Sequence, residues 1–158
     1  MSASALEFSV ELPAAPERVF AALTEGPALK RWFCDACESE PRANGRLVMR
    51  WTRPRGGASG MDERAGAGGS EPFVARWVEF TPPARAAFHG GNADYPSGDA
   101  GTVWFSLLKV GAGTRLDVRH EWPARKEYAA LAQSWRSAWP RALERLASVL
   151  APPPERRA

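Results

Sequence analysis

Cysteine and histidine are scarce in this chain of 158 residues, which carries two of each. The cysteines, Cys34 and Cys37, form a single C-x-x-C pair. Such a pair is a redox dithiol in some proteins, or half of a zinc site where further Cys or His ligands converge on it. A second pair is absent, and His89 and His120 lack metal-ligand spacing. We therefore interpret Cys34 and Cys37 as ordinary thiols and expect neither a metal site nor a cofactor.

Long apolar runs and clusters of like charge are also missing. No run of about eighteen apolar residues occurs, and the first residues show no basic stretch followed by an apolar one. The 21 basic and 18 acidic residues are scattered, so the net charge of +3 forms no basic stripe of the kind that contacts nucleic acid. These absences argue against membrane and nucleic-acid partners, and we expect a cytoplasmic protein.

The most informative feature present is a helical pattern from residue 128 to residue 150. Apolar residues recur on one face at helical spacing: Trp135, Trp139, Ala142, Leu146 and Val149. Pro140 removes one backbone hydrogen bond, so the sequence predicts a kink beside Trp139. A lone amphipathic helix must bury its apolar stripe against another element, and a curved sheet is the partner that the rest of the chain offers.

Alternation of polar and apolar residues predicts strands along much of the chain before this helix. The clearest alternating segments are residues 6–12, 47–51, 73–80, 85–89 and 115–122. After the first strand, Pro16 and Pro27 each stand at a favoured first helical position and begin two short helices. The predicted order is β, α, α, five or six strands and one long helix. The alternation leaves open whether Trp77 and Phe80 both face the interior.

A single domain is expected over residues 1–151. Residues 54–72 are rich in glycine and show no apolar periodicity, so they are predicted to form a mobile loop. Three consecutive prolines stop the last helix, and residues 152–158 are predicted to be a frayed tail.

Several short motifs, taken in order, are together more specific than any one alone. They are Ala15-Pro16, Val19-Phe20, Arg31-Trp32-Phe33, Pro82-Pro83-Ala84-Arg85, Gly113-Thr114-Arg115-Leu116, His120 and Trp139-Pro140. With them the chain resembles the activators of heat-shock protein 90 ATPase and their bacterial homologues, in the START-like superfamily. The resemblance implies an α+β helix-grip fold, with a curved antiparallel sheet of about seven strands around the C-terminal helix. It also implies a hydrophobic pocket between sheet and helix.

Aromatic residues and one histidine define the candidate site. The chain has seven tryptophans, of which Trp104 alternates onto the outer face of its strand. His120 is the one ionisable residue on the predicted inner face of the last strand. Three roles stay open for it: it contacts a ligand, it acts as an acid or base, or it is a core histidine whose hydrogen bonds are satisfied within the protein. The Tyr95-Pro96-Ser97-Gly98 loop is expected near the mouth of the pocket. The residues expected to line the pocket are Trp32, Phe33, Met49, Trp51, Phe105, His120, Trp122, Trp135 and Trp139.

Three functions stay open at this point. The favoured one is a non-catalytic protein that holds a small hydrophobic or aromatic ligand between sheet and helix. The second is a co-chaperone-like interaction module that binds a chaperone through the outer sheet face around Trp104 and Arg115. The third is an enzyme of the cyclase or dehydratase type that uses His120, although no nucleophile with a partnered base is evident. We expect a monomer or a homodimer.

Overall fold

An antiparallel sheet of seven strands is the framework of the part of the chain that the structure describes. The computed structural model describes residues 4–51 and 72–152. The predicted loop at 54–72 and the predicted tail at 152–158 therefore lie outside the described residues, apart from Pro72 and Pro152. The strands are β1 (Ala5–Leu12), β2 (Ala36–Ser39), β3 (Arg46–Arg50), β4 (Phe73–Thr81), β5 (Arg85–Gly91), β6 (Thr102–Val110) and β7 (Gly113–Glu121).

The order of strands across the sheet is β1-β7-β6-β5-β4-β3-β2, with all neighbours antiparallel. Strands β2 to β7 follow one another as a meander, and β1 joins beside β7. Two short helices, α1 (Pro16–Thr24) and α2 (Gly26–Trp32), follow β1, and α3 (Ala129–Leu150) ends the described fold. This arrangement confirms the helix-grip α+β fold and the predicted order of elements.

The short helices are held by hydrogen bonds from side chains as well as by apolar packing. Proline lies in the first turn of each helix, as the sequence predicts. The Trp32 indole donates to the carbonyl oxygen of Ala22 at 2.9 Å, which fastens α2 to α1. The Ser39 hydroxyl donates to the carbonyl oxygen of Thr24 at 2.6 Å, which fastens α1 to β2. These two bonds fix the place where the chain passes from the short helices into β2, at one edge of the sheet.

A β-bulge in β4 settles the orientation that alternation left open. The pairing of β4 with β5 shifts register between Trp77 and Glu79. A bulge adds one residue to a strand and shifts the alternation of faces by one position. Two residues that lie three apart across the bulge therefore point to the same face. Trp77 is fully buried, and its ring lies 5.7 Å from that of Phe80 on the same inner face. The extra residue, Val78, is 54% exposed on the outer face.

Helix α3 lies along the inner face of the sheet and buries the predicted stripe. Trp135, Trp139, Ala142 and Leu146 are each at most 1% exposed, whereas Val149 only packs at the margin of the core. Pro140 lies inside this helix on its solvent side, and the helix runs through it from Ala129 to Leu150. Among the described helices, none has both the length and the apolar content needed to cross a bilayer.

The exposed position of Pro140 generates a stability prediction. Replacing Pro140 with Ala restores an N–H donor for the carbonyl of Arg136 and loses little packing. After allowing for the greater freedom of the unfolded chain, we expect Pro140→Ala to raise the free energy of unfolding by about 2 kcal/mol. Urea denaturation measures this change. Ser137→Ala, on the same exposed side of α3, is the matched control and should gain no more than about 0.5 kcal/mol. A Pro140→Ala protein less stable than the parent would show that α3 needs the proline to fit the sheet.

Candidate functional site

The nine residues expected to line a pocket all lie in the core between the sheet and α3. Their side chains range from fully buried to 8% exposed, the latter being Trp122. One group of rings surrounds Phe33. Its ring stacks on Trp139 at 5.5 Å and meets Trp32 at 4.8 Å and Trp51 edge-on at 5.7 Å. The Trp51 indole donates to the carbonyl oxygen of Phe33 at 2.6 Å, so this group is fixed by a hydrogen bond as well as by packing.

A second group of rings surrounds His120 on β7. The imidazole lies 4.2 Å from the ring of Trp135 and 5.5 Å from that of Trp122, and these two indoles are 5.3 Å apart. The Trp139 ring belongs to both groups, because it also lies 6.2 Å from His120 and 6.5 Å from Phe105. The structure thus brings the predicted aromatic residues together as one continuous cluster whose members contact each other.

Both ring nitrogens of His120 are used inside this cluster. The Trp139 Nε1–H donates to Nδ1 at 3.2 Å, and the Nε2 atom lies 2.8 Å from the carbonyl oxygen of Ala100. An indole only donates and a carbonyl only accepts, so the proton of the neutral imidazole is assigned to Nε2. Burial lowers the pKa of His120 to about 4, and the hydrogen bond to Ala100 opposes that shift. His120 is therefore a neutral core histidine whose two nitrogens both have partners.

The loop between β5 and β6 covers the end of the aromatic cluster. Tyr95, in this loop, is 4% exposed and stacks on Trp135 with ring centres 6.2 Å apart. The Tyr128 hydroxyl, just before α3, donates to the carbonyl oxygen of Asp99 at 2.5 Å and lies 3.3 Å from that of Pro96. Burial raises the pKa of this phenol. The Tyr95-Pro96-Ser97-Gly98 loop thus contacts the cluster through the ring of Tyr95.

Sequence reasoning missed a group of three polar side chains at the base of the same loop. His89 Nδ1 lies 2.7 Å from the Thr102 hydroxyl, and its Nε2 lies 3.4 Å from the Asp99 carboxylate. Asp99 also accepts from the backbone N–H of Gly101 at 2.8 Å. The signal was present, because His89 lies near the end of β5 and Thr102 begins β6, but only the register places them opposite each other. The side chain of His89 is 47% exposed, and we assign the group to anchoring the loop.

The outer face of the sheet carries a groove of about 640 Å³, here named the Trp104 groove. Residues of β1, β5, β6 and β7 form it. They are Glu7, Phe8, Ser9, Arg85, Trp104, Ser106, Arg115, Asp117, Val118, Arg119 and Glu121. Trp104 is partly exposed, which confirms its predicted position on the outer face. The groove therefore combines an accessible indole with three arginines and three carboxylates.

Charged neighbours hold the indole of Trp104 in a defined orientation. Its Nε1–H donates to Glu121 at 3.1 Å, and Arg119 bridges Glu121 and Glu7 across the strands. The Arg119 hydrogen bond lowers the pKa of Glu121, so this carboxylate stays ionised. The Arg85 guanidinium lies 5.8 Å from the indole ring centre, within the range of a cation–π contact. Among the described residues, Arg85 has no carboxylate partner.

Metal chemistry finds no support in the described ranges. No group of three or more His, Cys, Asp or Glu side chains there is placed to hold a metal ion. Cys34 is buried at the end of α2, and Cys37 is partly exposed on β2. Both are free thiols in this structure.

The buried imidazole generates a pH prediction. The pKa of His120 is depressed to about 4 in the folded protein, so the unfolded chain takes up its proton first as the pH falls. The contribution of neutral His120 to stability is therefore fully present above the ordinary histidine pKa, and it is lost as the pH falls towards 4. We expect the free energy of unfolding to fall by about 2 kcal/mol more between pH 7 and pH 5 in the parent than in His120→Gln, which cannot titrate.

Urea denaturation at the two pH values measures this difference. An NMR titration of the imidazole signals gives a second test that does not depend on whether the variant folds. His89→Gln assigns the two histidine signals. A His120 signal that titrates at the ordinary histidine pKa would contradict the neutral core assignment.

Comparison with known proteins places this chain in a family. A family model described as "Activator of Hsp90 ATPase homolog 1-like protein" matches residues 13–151. A solved structure from Rhodobacter sphaeroides is 26% identical with a TM-score of 0.71, covering 94% of this chain and 93% of its own. The Aha1 dimer from Colwellia psychrerythraea is 17% identical with a TM-score of 0.65, covering 92% of this chain and 95% of its own. No curated protein matches. This chain belongs to the family of Activator of Hsp90 ATPase homolog 1-like proteins.

Proposed function

We propose that this protein is a non-catalytic binding module that engages a partner protein through the Trp104 groove. The observation that carries the proposal is the contrast between the two faces of the sheet. On the inner face the candidate residues contact one another, with Phe33 stacked on Trp139 at 5.5 Å and His120 at 4.2 Å from Trp135. On the outer face, a partly exposed indole stands in an open groove of about 640 Å³.

The composition of the groove favours a protein partner. Tryptophan and arginine are the side chains most enriched at the energetic centres of protein interfaces. Here the indole of Trp104 is already held by its hydrogen bond to Glu121, so little conformational freedom is lost when a partner covers it. The ion pairs of Arg115 with Asp117 and of Arg119 with Glu7 and Glu121 form a polar rim.

The charge of Arg85 indicates which chemical group the partner presents to the groove. Arg119 and Arg115 are paired with carboxylates within the groove, whereas Arg85 contacts the face of Trp104. A partner carboxylate is expected to reach this guanidinium and to be held in a bidentate hydrogen bond. Membership in the family supports a chaperone of the Hsp90 class as that partner. The proposal then places a surface carboxylate of the chaperone at Arg85.

Truncation of the indole tests this function. We expect Trp104→Ala to weaken binding to an Hsp90-class chaperone of the same organism by about 30-fold, the equivalent of the 2 kcal/mol that marks an interface hot spot. The loss follows from the removed ring area and from the lost platform for Arg85. Isothermal titration calorimetry with purified chaperone measures it, and the chaperone ATPase rate is a second readout.

Leu108→Ala is the matched control for this experiment. Leu108 lies on the same strand and is 61% exposed, but it does not line the groove. This variant should bind as the parent does. Equal affinities for the parent, Trp104→Ala and Leu108→Ala would exclude the groove as the binding surface, and no affinity for the chaperone in any of the three would exclude the chaperone as partner.

A small hydrophobic or aromatic ligand in the core is the second candidate. The observation that favours it is the Trp139 ring, which joins the Phe33 and His120 groups and is held by one hydrogen bond to His120. Movement of this ring would open space next to a polar group that can orient a ligand. The remaining predicted residues would then form its walls: Trp32, Met49, Trp51, Phe105, Trp122 and Trp135.

A large-to-small change at Trp139 tests the second candidate. Trp139→Ala is expected to lower the free energy of unfolding by about 3–5 kcal/mol, because a buried indole leaves a cavity. If the core accepts ligands, planar aromatic compounds should raise the melting temperature of this variant and, more weakly, that of the parent. A thermal-shift screen with lipids, sterols and aromatic polyketides provides the measurement. Stabilisation of neither protein would leave Trp139 with a packing role alone.

A further inference from the structure

A second groove lies on the outer face of the sheet, across strands β2, β3 and β4. Its volume is about 290 Å³, and the residues that line it include Glu38, Arg46, Val48, Arg50 and Val74. Different residues line the Trp104 groove, which lies on β1, β5, β6 and β7. This second site is here named the Val48 groove.

A pair of valines forms the floor of the Val48 groove. Val48 and Val74 are directly opposite each other in the register of β3 with β4. Leu47 and Met49, on either side of Val48, are buried in the core, so alternation places Val48 on the outer face. Val48 is partly exposed and Val74 is 40% exposed. An apolar side chain that covers this pair removes apolar area from water, which is favourable.

Arginines lie at both ends of this apolar floor. Arg46 and Arg50 are the outward-facing residues of β3 before and after Val48, and both are exposed. Four residues of an extended strand span about 13 Å, and this distance separates the two Cα atoms. Among the described residues, neither guanidinium is within ion-pair distance of a carboxylate. Two cations thus flank an apolar centre.

A third arginine adds positive charge at one end. Arg76 on β4 is directly opposite Arg46, and like charges in this position repel each other. Glu40 is the carboxylate at this end, where it accepts from the backbone N–H of Arg46 at 2.9 Å and pairs with Arg42 at 3.4 Å. That backbone hydrogen bond, and then the charges of all three arginines, lower the pKa of Glu40. One carboxylate is therefore shared by three arginines, and positive charge is left over.

The position of Glu38 limits which anion fits the groove. Among the described lining residues it is the one carboxylate, and it is opposite Val48 in the register of β2 with β3. It therefore lies beside the apolar centre, and the groove favours anionic groups at its ends with an uncharged group between them. A nucleic-acid strand carries a charge at every unit, so it fits this pattern less well than a peptide does.

We propose that the Val48 groove binds an extended, acidic segment of a partner protein, in which two carboxylate residues four positions apart flank an apolar residue. Alternate side chains of an extended segment point to one face, and its rise per residue matches that of β3. One carboxylate then meets Arg46 and Arg76, and the other meets Arg50. The apolar side chain between them covers Val48 and Val74. This surface is independent of the Trp104 groove and of the chaperone proposed to bind there.

An NMR titration of the isotope-labelled protein with a synthetic peptide tests the proposal. The probe is the capped peptide Ser-Glu-Ser-Val-Ser-Glu-Ser, and we expect saturable shifts of the backbone amides of β2, β3 and β4. Arg46→Gln and Arg50→Gln should each raise the Kd about tenfold, because each removes a charge-assisted hydrogen bond. Glu38→Gln should lower the Kd about threefold, because it removes a charge that repels the peptide.

A variant and a second peptide serve as matched controls. Arg136→Gln removes the same charge from the exposed side of α3, across the sheet from the groove, and should bind the peptide as the parent does. The peptide Ser-Glu-Glu-Val-Ser-Ser-Ser has the same composition with adjacent carboxylates. It should bind about tenfold more weakly, because only one carboxylate then reaches an arginine.

Three results would overturn the proposal. The first is a titration in which the peptide gives no saturable shifts on β2, β3 and β4. The second is equal affinity of Arg46→Gln, Arg50→Gln and Arg136→Gln for the peptide. The third is tighter binding of a single-stranded oligonucleotide than of the peptide to the same amides, which would assign the Val48 groove to nucleic acid.

Discussion

Two hydrogen bonds join Trp139, His120 and the carbonyl of Ala100. They connect the C-terminal helix, the sheet and the loop between β5 and β6. Trp139 belongs to α3, His120 to β7 and Ala100 to the loop between β5 and β6, and all three are at most 1% exposed. In a dry core each of these polar groups would be costly without its partner. The chain of bonds therefore fixes one rotation of α3 on the sheet, and the surrounding rings pack around that rotation.

The two faces of the sheet divide the chemistry of the protein. The inner face is occupied by aromatic rings and by one neutral histidine, both of whose nitrogens have partners. The outer face carries charges that pair within β7 and across to β1, and the indole of Trp104 beside them stays accessible. Because strand side chains alternate, residues adjacent in sequence such as Arg119 and His120 serve these two environments. Binding through the outer face leaves the core of the fold undisturbed.

Much of the fold was predictable from local patterns, because strand alternation and helical spacing depend only on neighbouring residues. The stripe of α3, the inner face of β7 and the outer position of Trp104 all follow from such spacing. Other features depend on partners distant in the chain. The bulge that turns both Trp77 and Phe80 inward, the contact of His89 with Thr102 and Asp99, and the partners of His120 arise from register and loop closure. The sequence predicted the residues of the aromatic cluster, but it did not show how closely their rings pack.

By itself, the sequence determined the class of fold, the order of its elements and the family, since these rest on periodicity and on short motifs. It also supplied each chemical group discussed above. The tertiary structure decided the surroundings of those groups: it buried His120 as a neutral residue, assembled the Trp104 groove from four strands, and buried Cys34 while leaving Cys37 partly exposed. The physical reason is that spacing along a chain fixes the face of a residue, whereas its pKa and its partners are fixed by what packs against that face.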